Sequence, residues 1–146
     1  MGKYRDIKDK LVSELESIQK DSSAMYHDVY TAPRQQYQGY PSAVIVPTQS
    51  PSDFGSVVEN DRVHNFSINS YISIANKTDA AMDAAFNTMY DIADLVLNHF
   101  DKDPELDGLV TYVNPAVGDW LIDPESNTLI FEMTLEVRHS VNIETI

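Results

Sequence analysis

Polar and apolar residues alternate through positions 62–74. Phe66, Ile68, Ile72 and Ile74 share one side, and Asn65, Ser67, Asn69 and Ser73 share the other. Period two predicts a half-buried strand, because successive strand side chains point to opposite faces. A longer alternation fills 128–143. Leu129, Phe131, Met133, Leu135, Val137, Val141 and Ile143 occupy odd positions, interrupted by His139, and Glu132, Thr134, Glu136, Arg138, Ser140 and Asn142 lie between them. Two stretches carry the helical period instead. In 3–19, Tyr4, Ile7, Leu11, Leu15 and Ile18 recur at steps of three and four. In 79–100, Met82, Ala85, Phe86, Met89, Ile92, Ala93, Val96, Leu97 and Phe100 form a broad stripe. Thr78 is placed to cap the second helix, with Asp79 in its first turn.

Shorter apolar runs predict strands at 25–30, 42–46, 109–113 and 119–122, with Pro47 ending the second of them. Turn residues punctuate 20–23, 32–40, 103–108 and 123–127. The stretch 48–60 reads as a long polar hairpin connection, a length that usually serves a function. The resulting order is α-β-β-β-α-β-β-β. It predicts an α+β fold, an antiparallel (mixed) sheet packed on one face by two amphipathic helices. At 146 residues, a single domain spanning 1–146 is expected.

Charge changes this picture more than composition does. The formal net charge is −13, and its distribution is uneven. Lys3, Arg5, Lys8, Lys10 and Lys20 gather in the first twenty positions, whereas from 79 to 136 Lys102 stands against thirteen acidic residues. Such a surface repels phosphate and disfavours a nucleic-acid grip. It serves either as a solvated acidic face or as a lining past which DNA slides. The chain has no cysteine, which excludes disulfides, thiolate catalysis and cysteine zinc sites. The first twenty residues hold neither the apolar core of a signal peptide nor a membrane span.

Catalytic patterns are missing. No Gly-x-Ser-x-Gly elbow, phosphate-binding glycine loop or zinc-spaced histidine pair occurs among the positions of His27, His64, His99 and His139. No enzyme activity, cofactor or metal is expected. Asp103, Glu105, Asp107 and Gly108 match the first half of a calcium loop. Pro104, and Asn114 where a bidentate glutamate belongs, argue for an ordinary acidic turn instead. Asp91 and Asp94 are read as part of a solvated helix face. Tyr37, Tyr40 and Trp120 fall in or beside predicted turns, where aromatics anchor interfaces or cap the core edge. In 48–60, Phe54 is a candidate apolar anchor, with Asp53, Glu59 and Asp61 as its polar rim.

One segment resembles a known family. Gly39-Tyr40-Pro41 leads the apolar run Ala43–Val46. After the polar loop, Glu59-Asn60-Asp61-Arg62 leads on to Phe66, Ile68 and Tyr71. This "GYP-apolar strand, loop, ENxRxxxFxIxxY" arrangement resembles the bacteriophage tail terminator and tail-completion proteins. The order of elements is similar over about 3–143, and the motif itself lies between Gly39 and Tyr71. The run Ala-Val-Ile-Val directly before Pro47, and Asp61 within the motif, depart from the pattern without breaking it. The resemblance implies a structural virion protein assembled in the host cytoplasm. It implies a self-associating ring, commonly a hexamer, that caps the tail-tube protein and meets the head connector while DNA passes through the lumen. Asp53, Phe54, Glu59, Asp61, Arg62, Tyr37 and Trp120 are the interface candidates. The competing readings are another neck or head-completion adaptor and a small-ligand-binding domain unrelated to phage.

Overall fold

The computed structural model describes residues 3–34, 37–48, 57–58, 61–76 and 78–140. Helix α1 (Lys3–Ser17) buries Ile7, Leu11 and Leu15 completely, one residue per turn along the predicted stripe. A two-stranded ribbon follows, β1 (Gln19–Lys20) and β2 (Ser23–Ala24). The break predicted at 20–23 is thus a tight hairpin. Asp21 and Ser22 adopt φ of 53° and 69°, the left-handed pair that a two-residue turn between twisted strands requires.

The main sheet runs in the order β3 (Asp28–Tyr30), β4 (Ser42–Pro47), β6 (Asp61–Ser73), β8 (Thr128–Ser140), β7 (Tyr112–Asp123), with β5 (Val57–Val58) attached to β6. β3 and β4 are parallel and the other pairs antiparallel, so the sheet is mixed and the fold is α+β. The backbone of β6 and β8 is continuously in register, from Asp61 opposite Ser140 to Ser73 opposite Thr128. That register sets Phe66 beside Leu135, Ile68 beside Met133 and Ile72 beside Leu129, all buried. A slip of one residue would turn both apolar rows to the wrong side.

Helix α2 (Asp79–Lys102) extends two residues past the expected end. The Thr78 hydroxyl accepts from the Ala81 amide at 3.2 Å, as an N-cap should. Ala85, Met89, Ile92, Val96 and Phe100 are buried. They belong to one apolar cluster with the inward residues of α1, β4, β6 and β8.

β4 ends at Pro47, as expected, with Pro47 itself the last paired residue, opposite Phe66. Several expectations need correction. The strand expected over 25–30 is shorter, because Met25 and Tyr26 turn into the core ahead of β3. The two strands expected at 109–113 and 119–122 are one strand, β7, kinked by a bulge between Val117 and Trp120. Two strands rather than three therefore follow α2. Gly118 sits inside that kink, where an added Cβ would lie 3.0 Å from the Glu132 carbonyl oxygen, so the close approach favours glycine. The expected 48–60 connection is broken by β5, whose backbone pairs with Asp61 and Arg62. Residues 141–143 of the predicted last strand lie outside the described residues.

Candidate functional site

The expected interface set divides into three groups. Asp53, Phe54 and Glu59 lie outside the described residues. The backbones of Asp61 and Arg62 open β6, held between β5 and the end of β8, and their side chains lie outside the described residues, as does that of His139. Tyr37 and Trp120 are described, and they occupy different parts of the fold.

Tyr37 belongs to an aromatic cleft of about 470 Å³ on the side of the sheet away from the core. Its ring stacks on Tyr71 with centroids 4.5 Å apart and planes tilted by 26°. Tyr71 alternates onto that side because β6 sends Ser70 and Ile72 inward. Tyr30 and Tyr40 flank Tyr37 at 5.7 and 6.3 Å, and the Arg34 guanidinium lies 4.9 Å over the Tyr30 ring. Asp123, Ser126, Thr128 and Ile130 close the far wall. Burial, and then the hydrogen bond with Tyr71, push the Tyr37 hydroxyl up to about 12, so it stays a neutral phenol at ordinary pH. The volume is within the range of small-ligand clefts.

Trp120 lies on β7, within the strand expected over 119–122. A bulge between Val117 and Trp120 joins that segment to the strand before it. Among the described residues β7 is the outermost strand on this side of the sheet. Trp120 is 52% exposed although its ring meets Phe86 of α2 edge-on at 4.9 Å. Val117 and Leu121 on the same strand are equally exposed, as is Tyr90, one turn beyond Phe86 on α2. The result is an apolar rim, which sequence reading missed except for Trp120. The signal available was the adjacent Trp120-Leu121-Ile122, which puts apolar side chains on both faces of one strand.

At the opposite end of the sheet, α1, β4 and the end of β3 enclose a groove of about 370 Å³. Tyr4, Arg5 and Lys8 form one wall and Thr31, Ile45 and Pro47 the other. Tyr4 is held edge-on to His64 and Phe66 at 4.4 and 5.4 Å, and partial burial raises its hydroxyl above the usual tyrosine value.

The acidic turn after α2 uses its carboxylates internally. Both Asp103 carboxylate oxygens accept from the Asp107 amide, at 3.1 and 3.2 Å, and the Asp107 carboxylate receives Lys10 at 2.7 Å. Leu106, Asp107 and Gly108 all adopt positive φ. Of the Asp91–Asp94 pair, Asp91 bonds Lys20 at 3.0 Å. Among the described residues no group of three or more His, Asp or Glu side chains is placed to hold a metal ion, and no helix is long and apolar enough to cross a membrane.

Comparison with protein families finds no match to this chain, and comparison with curated proteins finds none either.

Proposed function

We propose that this chain is a tail terminator, a structural virion protein that closes into a ring on the end of a phage tail tube and joins it to the head. The observation that supports the reading best is the pairing of β4 with β6. The GYP-led run Ala43–Val46 lies antiparallel to Phe66–Tyr71, so the two halves of the family-like segment are neighbours in one sheet. The order α1, β4, β6, α2, β8 also agrees with the family's layout. The acidic excess suits a lumen through which DNA slides without adhering.

The test is electron microscopy of the purified chain, alone and after addition to the tail-tube protein from the same genome. Rings on tube ends, and tubes of uniform length, are the expected result. Tubes that elongate unchanged, with no density at their ends, would reject the reading; binding to head connectors instead of tubes would favour the neck adaptor.

A second reading has its own observation in the tyrosine cleft, whose volume and convergent Arg34, Asp123 and phenols suit a small planar or hydroxylated ligand. Ligand-induced changes in tyrosine fluorescence that vanish in Tyr37→Ala and Tyr71→Ala would favour it.

A further inference from the structure

We infer that the apolar rim of β7, centred on Trp120 and Leu121, docks into the groove between α1 and the β3–β4 end of the sheet on a second copy of this chain. This deepens the ring reading, on which it rests, by naming the two patches that meet.

The rim is more than scattered surface carbon, since Val117, Trp120 and Leu121 are all exposed along the outermost strand and the Phe86 ring of α2 backs Trp120. A half-exposed tryptophan backed by another aromatic ring is the kind of anchor that dominates association energies. The contact is made by side chains rather than by adding a strand. Pro115 lacks an amide proton, and the bulge from Val117 to Trp120 interrupts a regular ladder.

Charge selects the occupant. Asp119 is exposed on the rim and Asp83 lies one turn before Phe86; neither has an ion pair among the described residues. The groove carries Arg5 and Lys8. Lys8 meets only its exposed neighbour Asp9 at 2.6 Å, and Arg5 has no ion pair among the described residues. Two β7 rims facing each other would bring acid against acid. A rim facing a groove brings acid against base, and apolar rings against Tyr4, Ile45 and Pro47. The patches occupy opposite ends of the sheet, so their union is heterologous and propagates from copy to copy, as ring closure requires.

Because the chain lacks cysteine, single cysteines report the contact cleanly. Arg5→Cys and Leu121→Cys proteins, mixed and treated with a short bifunctional maleimide over a concentration series, should cross-link to each other. The double variant should give a ladder of covalent oligomers. Cross-linking only within Leu121→Cys would mean edge-to-edge pairing and overturn the proposal, as would no cross-link at high concentration with circular dichroism unchanged. Asp119→Arg and Arg5→Glu should each reduce oligomer formation, and combining them in one chain should restore it. Tubes capped by the wild-type chain without the Arg5–Leu121 cross-link would leave the terminator reading intact and reject this interface. The cross-link without capping would do the reverse.

Discussion

The Tyr26 hydroxyl lies 2.7 Å from the Ser70 hydroxyl, a hydrogen bond between two buried side chains separated by 44 positions in the chain. Ser70 is a polar residue on the inward side of β6, and Tyr26 precedes β3 at the far side of β4. The bond therefore satisfies a hydroxyl in the core and fastens the β1–β3 segment onto the sheet. Burial raises the Tyr26 phenol well above its ordinary value, so it stays neutral and shares the hydrogen bond with Ser70. Tyr26→Phe keeps the ring but strands Ser70, and should cost about 1–3 kcal/mol in urea unfolding. Tyr26→Phe with Ser70→Ala should cost less than the sum of the two single changes. Strict additivity would show that the hydroxyls are not coupled.

Leu135 and Glu136 are adjacent on β8 and differ in fate. Leu135 is fully buried beside Phe66, while Glu136 is half-buried on the opposite side and accepts from the Tyr112 hydroxyl at 2.7 Å. Leu135→Ala should destabilise by about 2–5 kcal/mol through the lost apolar contact and the cavity left behind. Glu136→Ala, losing one partly solvated hydrogen bond, should cost about 0.5–1.5 kcal/mol. Equal costs in denaturant titrations would contradict this assignment of faces.

Tyr37 should be a late-titrating phenol. Its folded value of about 12 exceeds the ordinary 10.0, so the unfolded chain releases this proton first as pH rises. Its contribution to stability is complete below about pH 10 and is lost between there and about pH 12. Tyrosinate absorbance should show a component near the upper value that Tyr37→Phe removes. Tyr71→Phe should move it downward, since the Tyr71 hydrogen bond is the second cause of the shift.

The Lys10–Asp107 bond, at 2.7 Å, joins α1 to the turn after α2. The Lys10 ammonium holds the Asp107 carboxyl below the ordinary carboxylate value, and Asp107 raises Lys10 in return. A depressed carboxyl stabilises the fold above its unfolded value and loses that contribution as pH falls through the folded one. Asp107 is exposed and Lys10 partly so, which makes the effect on stability small and sensitive to salt. Carboxyl chemical shifts should place the Asp107 midpoint below the ordinary aspartate value, and Lys10→Met should move it upward, since the Lys10 hydrogen bond is the largest cause.

Local periodicity alone determined much of this protein. The period of two around Phe66 and Leu135, and the helical stripes of Ile7-Leu11-Leu15 and Met89-Ile92-Val96, identify four elements and their buried sides, because each side chain's direction follows from its own backbone. The Thr78 cap was equally legible, since the bond spans three residues. Tertiary structure decided the rest. The bulge that unites β7 sets Gly118 close against the Glu132 carbonyl of another strand, and the parallel pairing of β3 with β4 depends on a partner twelve or more residues away. The tyrosine cleft joins Tyr30, Tyr37, Tyr40 and Tyr71 from separate segments, and the rim around Trp120 needs Phe86 from α2 against the outermost strand. Such groupings leave no periodic trace, because residues distant in the chain become neighbours only when the sheet order β3-β4-β6-β8-β7 is set by burial of the whole apolar cluster.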